Sequence, residues 1–121
     1  MKIINESKEN LFPYIAYIPD NIGENPALLI QLHGAGERGE GGDALDLVTV
    51  HGFSKIVNEE NFKNCILIMP QCPKEAFWAG QVESIKEFID EMILIYNAAR
   101  ARIYLCGLSM GGFGTWYTSM A

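Results

Sequence analysis

The sequence predicts an α/β domain, with a mostly parallel sheet and helices on both faces. Three observations lead there. Short, nearly continuous apolar runs recur at residues 27–32 (ALLIQL), 65–69 (CILIM) and 102–106 (RIYLC), the pattern of strands covered on both faces. Residues 82–96 carry apolar side chains at spacings of three and four, the pattern of an amphipathic helix. Strands and helices also alternate along the chain, as crossover helices on a parallel sheet require. At 121 residues there is room for one domain at most.

Taken in order, residues 11–18 alternate aromatic and aliphatic side chains and stop at Pro19-Asp20. They read as a strand, and Pro13 points to an exposed or edge position. Residues 21–26 form a turn-rich connector. The strand at 27–32 ends abruptly at His33-Gly34-Ala35-Gly36. The long stretch from Gly34 to Asn64 cannot all be bare loop in a compact domain, and 43–48 and 53–58 are expected to supply short helical pieces. The strand at 65–69 closes at Pro70-Gln71-Cys72-Pro73, and 74–81 form a loop containing Trp78. In the helix at 82–96, Val82, Ile85, Phe88, Ile89, Met92, Ile93 and Tyr96 face one way, and Glu83, Lys86, Glu87, Asp90 and Glu91 the other. After the strand at 102–106 the chain turns sharply through 107–112 into a helix at 113–120.

Composition narrows the function. A net charge of −6, from 15 acidic and 9 basic residues, offers no electrostatic footprint for nucleic acid or an anionic membrane surface. No run approaches the ~18 apolar residues of a membrane span. Cys65, Cys72 and Cys106 are odd in number and lack C-x-x-C spacing, so reduced, packed thiols are expected rather than a disulfide framework. With no apolar stretch at the N-terminus long enough for a signal peptide, a cytoplasmic location is expected. Two histidines and scattered cysteines suit no metal site, and no cofactor is implied.

Gly107-Leu108-Ser109-Met110-Gly111 is a G-x-S-x-G pattern with a strand running into it and a helix leaving it. The chemistry explains the glycines. A serine nucleophile must stand clear of the sheet on a strained strand-to-helix turn, and side chains at 107 and 111 would collide with that turn. Chance supplies such a pattern in about 4% of chains this long, and the strand and helix around it lower that several-fold. Ser109 is therefore the candidate nucleophile, at a helix N-terminus that directs N–H groups toward developing negative charge.

An acyl-transfer site needs two donors for its oxyanion. One is the N–H after the nucleophile, here that of Met110. The other comes from a Gly-rich loop after an earlier strand, and Leu32-His33-Gly34-Ala35-Gly36 stands at that place, with Ala35 or Gly34 as the donor. His33, at the strand end, is expected to shape this loop rather than act as the base. His51, beside Gly52 in a connecting segment, reads as a solvent-exposed or capping residue. Phe77, Trp78 and Phe113 could line an acyl pocket, although core packing accounts for them more simply.

LHGAGERG at 32–39, PQCP followed by Trp78, the amphipathic helix before NAARARIYLCG, and GLSMGGFGTW at 107–116 together resemble one group of proteins. They are the phospholipase/carboxylesterase-like branch of the α/β-hydrolases, with its polyhydroxybutyrate-depolymerase-like and feruloyl-type esterases. The resemblance runs from about residue 10 to the last residue. It implies the N-terminal half of an α/β-hydrolase fold, an acyl-enzyme on Ser109, an oxyanion donor at Met110 and a small-molecule ester substrate. By it, Glu37 and Arg38 belong to a loop near the site mouth; a solvated ion pair is the plainer account of the two.

Such enzymes keep the chain order Ser, then Asp or Glu, then His. None of these acids or bases occurs among the twelve residues from Met110 to Ala121. The expectation is thus a single truncated domain, residues 1–121, inactive by itself because Ser109 lacks an activating base. An unpaired sheet edge, and Trp116 and Tyr117 without packing partners, imply self-association. A non-catalytic self-associating piece and a peptidase are the alternatives.

Overall fold

The computed structural model describes residues 1–6 and 12–121. Five strands form one sheet: β1 (Lys2–Glu6), β2 (Tyr14–Ile18), β3 (Ala27–Leu32), β4 (Cys65–Pro70) and β5 (Ile103–Gly107), side by side in the order β1-β2-β4-β3-β5. β3 runs parallel to both β4 and β5, whereas β2 is antiparallel to β1 and β4. Only β2 is reversed, so the sheet is mostly parallel.

The edge position expected of residues 11–18 is corrected. β1, which the apolar pattern did not reveal, pairs with β2 from Lys2–Ile18 to Glu6–Tyr14 and makes β2 an interior strand. Pro13 lies just before β2, where its missing N–H interrupts no ladder, and its carbonyl accepts the Gln71 N–H at 2.8 Å. Leu11 lies outside the described residues.

The period of two along each strand divides the core. Tyr14, Ala16, Leu28, Ile30, Leu32, Ile66 and Ile68 pack on one face with Phe12, Trp78, Phe88 and Met110. Phe12 meets Trp78 and Phe88 edge-on at centroid distances of 5.2 and 5.7 Å. Two α-helices cover this face: α1 (Val82–Tyr96) through Ile85, Phe88, Met92 and Ile93, and α2 (Met110–Met120) through Met110. α1 stops where the spacing predicts, because Asn97 turns left-handed (φ 51°) and the Ala98 N–H caps the Ile93 carbonyl at 3.0 Å.

Ile15, Leu67 and Met69 point to the other face and pack against Leu45, Val48 and Phe62. The two helical pieces expected here are 3-10 rather than α, at Gly42–Thr49 and Gly52–Lys55. The second ends before 58, where the side chains of Asn58 and Asn61 each accept the other's backbone N–H and close a turn instead of extending a helix. Among the described residues no helix is long and apolar enough to cross a membrane.

Candidate active site

β3 and β5 pair from Leu28–Ile103 to Leu32–Gly107, so the two strands end at the same level. The Leu108 N–H extends the ladder by one bond to the Leu32 carbonyl, at 3.2 Å. The segments beginning at His33 and at Leu108, 75 positions apart, therefore leave the sheet together.

Ser109 adopts φ 53°, ψ −114°, a left-handed conformation in which a residue with a Cβ is strained. It is exposed and directly precedes α2, and its hydroxyl makes no capping bond. The turn is tight: the N–H groups of Gly111, Gly112 and Phe113 donate to the carbonyls of Leu108 and Ser109 at 2.8–3.2 Å. A Cβ on Gly107 would overlap the Gly111 carbonyl, and one on Gly111 would overlap the Leu32 carbonyl. The Met110 side chain is buried while its N–H, first of the helix, donates to no backbone carbonyl among the described residues.

Gly34 is buried beside this turn, with the Leu108 carbonyl 3.7 Å from where its Cβ would stand. Residues Ala35–Glu37 form a 3-10 turn whose Ala35 and Gly36 are exposed, and the Ala35 N–H likewise donates to no backbone carbonyl among the described residues.

His33 is 3% exposed and has both ring nitrogens engaged. The Cys72 N–H can only donate, so Nε2, 2.9 Å away, accepts and the proton sits on Nδ1, which donates to the Gly34 carbonyl at 2.6 Å. Burial holds the imidazole below its ordinary pKa of 6.5 and outweighs the Gly34 bond and Glu37, which act the other way. The Trp78 indole N–H donates to the His33 carbonyl at 3.0 Å, with the two rings 5.2 Å apart. His33 is thereby built into the loop, with no nitrogen left to take a proton from Ser109. His51 is exposed ahead of the 3-10 turn at Gly52–Lys55, which its ring does not cap; its carbonyl accepts the Gln31 amide at 3.2 Å.

Glu37 and Arg38 do not form the solvated ion pair. Glu37 is buried, and the Arg38 guanidinium donates to the carbonyls of Ala35 (2.9 Å) and Ala76 (3.1 Å) and lies over the Phe77 ring. The residue sequence reasoning missed is Gln71. Fully buried, it donates through Nε2 to the carbonyls of Glu37 (3.0 Å) and Ala44 (2.8 Å) and accepts the Gly41 N–H at 2.9 Å. Its sole signal was an amide at the end of an apolar strand run.

Open clefts flank the paired strand ends, one of them, of about 280 Å³, against Gln31, Gly107 and Leu108. Ser109 lines one of about 520 Å³ with Gly112, Phe113, Trp116 and Tyr117. Ala35 lines one of about 490 Å³ with Gly36, Arg38, Lys74, Glu75 and Phe77. Phe77 and Phe113 thus stand at cleft walls, whereas Trp78 is wholly in the core. Cys65, Cys72 and Cys106 are free thiols, and burial pushes all three up, Cys72 to about 11.

No family model matches the chain. It is 27% identical to acetylxylan esterase A of Emericella nidulans, over 84% of this chain and 35% of that protein. It is 28% identical to feruloyl esterase B of Neurospora crassa, over 82% of this chain and 36% of that protein. The chain thus spans about a third of the length of these relatives. Among solved structures it matches a thermostable esterase with a TM-score of 0.70 at 28% identity, covering 90% of this chain and 33% of that one. It matches the acetyl xylan esterase from Aspergillus awamori with a TM-score of 0.68, covering 97% and 45% of the two chains; at 18% identity this likeness shows the fold alone. In sequence and in fold, the chain resembles the esterase branch of the α/β-hydrolases and has part of an α/β-hydrolase fold.

Proposed function

We propose that this chain carries the nucleophile side of a serine carboxylic-ester hydrolase working through an acyl-enzyme on Ser109. The observation that carries the reading is the left-handed, exposed Ser109 between β5 and α2, with a hydroxyl not spent on capping the helix. Its Oγ attacks the ester carbonyl, a base takes its proton, and the alcohol leaves to give the acyl-serine; water then releases the acid. Met110 and Ala35, or Gly34 in place of Ala35, donate their N–H groups to the oxyanion. The glycines at 107 and 111 give the turn its room, and His33 holds the loop. A His and an Asp or Glu from outside these residues complete the relay, so the 121-residue chain alone is inactive. The relatives' names support a carboxylic ester as substrate.

The test is hydrolysis of p-nitrophenyl acetate and butyrate by the whole protein and by residues 1–121, each beside its Ser109→Ala form. The whole protein should lose turnover by a factor on the order of 10⁶ on substitution. Residues 1–121 should stay at background with or without Ser109. Turnover that persists in the substituted whole protein would sink the proposal. A panel pairing phospholipid and simple esters with peptide amides separates phospholipase, carboxylesterase and peptidase activity.

A second reading, a self-associating piece without activity, is favoured by one observation. α2 exposes Phe113, Trp116, Tyr117 and Met120 by 64%, 66%, 48% and 63%, at i, i+3, i+4 and i+7, beside the outer edge of β5. Sedimentation of residues 1–121 with and without Trp116→Glu tests it: a concentration-dependent dimer lost on substitution supports it, and a monomer at every concentration rules it out.

A further inference from the structure

We propose that Arg38 is a positioning residue for the oxyanion donor at Ala35, a role that rests on the acyl-transfer reading above. The Ala35–Glu37 turn is weakly held by its own bonds. The Glu37 N–H to Gly34 carbonyl and Arg38 N–H to Ala35 carbonyl distances are both 3.4 Å. Ala35 and Gly36 are exposed, and nothing lies within 4 Å of where a Gly36 Cβ would stand. The turn's conformation therefore depends on its tethers.

Gln71 holds its far end at the Glu37 carbonyl, and two more tethers act on the peptide planes flanking Ala35. Nδ1–H of His33 holds the Gly34 carbonyl, and because a peptide is planar and trans the Ala35 N–H is turned to the opposite side. Arg38 holds the next plane: Nε–H donates to the Ala35 carbonyl while Nη1–H donates to the Ala76 carbonyl. The guanidinium carbon also sits 5.1 Å from the centre of the Phe77 ring. The side chain thus spans from the donor turn to the loop after β4. Two N–H donors held in one rigid plane suit this bridging, and a lysine ammonium could satisfy only part of it.

The experiment compares Arg38→Met, Arg38→Lys and Ser109→Ala in the whole protein. It reads kcat and KM for p-nitrophenyl butyrate and inhibition by an alkyl trifluoromethyl ketone, whose adduct places an oxyanion in the donor site. Arg38→Met should lower kcat by about 10- to 100-fold, the scale of a misplaced or missing donor, with KM within about twofold. Ketone affinity should fall by a similar factor, and Arg38→Lys should recover part of both. Unchanged kcat, or a lower kcat with full ketone affinity, would overturn the role; if Arg38→Met does not fold, Arg38→Lys decides by the same readings. With Ser109→Ala inactive, such a result fells only the Arg38 proposal, whereas an active Ser109→Ala fells the reading beneath it.

Discussion

The backbone N–H of Cys72 points at Nε2 of His33 across 2.9 Å, and this one bond determines where the imidazole proton sits. With Nε2 accepting, Nδ1–H is committed to the Gly34 carbonyl. A second proton on the ring would have to face the Cys72 N–H, so the loop is built around neutral imidazole.

Acid should therefore loosen this loop. Burial lowers the folded pKa of His33 below its ordinary 6.5, so the unfolded chain takes up the proton more readily. The stability due to the neutral ring is complete above about pH 6.5 and is lost as the pH falls through the lowered folded value. His33→Leu should cost about 1–3 kcal/mol at pH 7.5, since it leaves buried backbone groups unpaired. That cost should shrink by pH 5, as urea unfolding of both proteins at a series of pH values will read. A gap that widens in acid would contradict the assigned proton.

Ser109→Gly should separate stability from activity. At φ 53° and ψ −114° a serine stores strain of about 1–3 kcal/mol that glycine does not. Glycine's extra freedom in the unfolded chain returns part of that, leaving a net gain of about 1 kcal/mol. Thermal unfolding should thus shift upward in the variant that abolishes ester hydrolysis.

Gly111→Ala should be among the most damaging single-methyl additions in the chain. Its Cβ would overlap the carbonyl of Leu32, a backbone atom inside the sheet that cannot step aside. A cost of about 3 kcal/mol or more is expected, at the top of the range for overpacking. Gly36→Ala, with open space around it, should change stability by less than about 0.5 kcal/mol. Denaturant midpoints of the pair measure the contrast.

Gln71→Leu should release the loop it ties. Removing the amide strands the carbonyls of Glu37 and Ala44 and the N–H of Gly41. Each buried orphan costs about 1–3 kcal/mol, though relaxation makes the sum smaller than its parts. Amide exchange should quicken at Gly41 while Ile66–Ile68 in β4 remain protected; unchanged exchange at Gly41 would deny Gln71 this role.

Much of the scaffold was legible because its signal lies in consecutive residues. The apolar run at 27–32 is β3 from end to end, and the spacing from Val82 to Tyr96 is α1 with both limits correct. The glycines around Ser109 announced a sharp turn because only their lack of a side chain lets the backbones of 107, 111 and Leu32 meet. β1 was missed because KIINE leaves Lys2, Ile3, Asn5 and Glu6 exposed, and an edge strand with one partner needs little apolar patterning. The piece at 43–48 carried apolar spacing without revealing whether its turns would be 3-10 or α. Glycine at 41 and 42, with φ of 76° and 56°, sets its entry.

The sequence by itself determined the α/β class, the limits of β3 and α1 and the turn that raises Ser109. Each depends on side-chain size, periodicity and backbone freedom over a few neighbouring residues. Only the tertiary structure decided the lateral order of strands, the tautomer of His33, the burial of Glu37 and the partners of Gln71 and Arg38. Those depend on groups distant along the chain, such as Glu37 with Gln71, 34 positions apart, and His33 with Cys72, 39 apart. Such groups meet because parallel β3 and β4 deliver their loops to the same end of the sheet. A donor in one loop donates to whichever carbonyl or ring nitrogen the neighbouring segment brings within reach, and no local pattern records that choice.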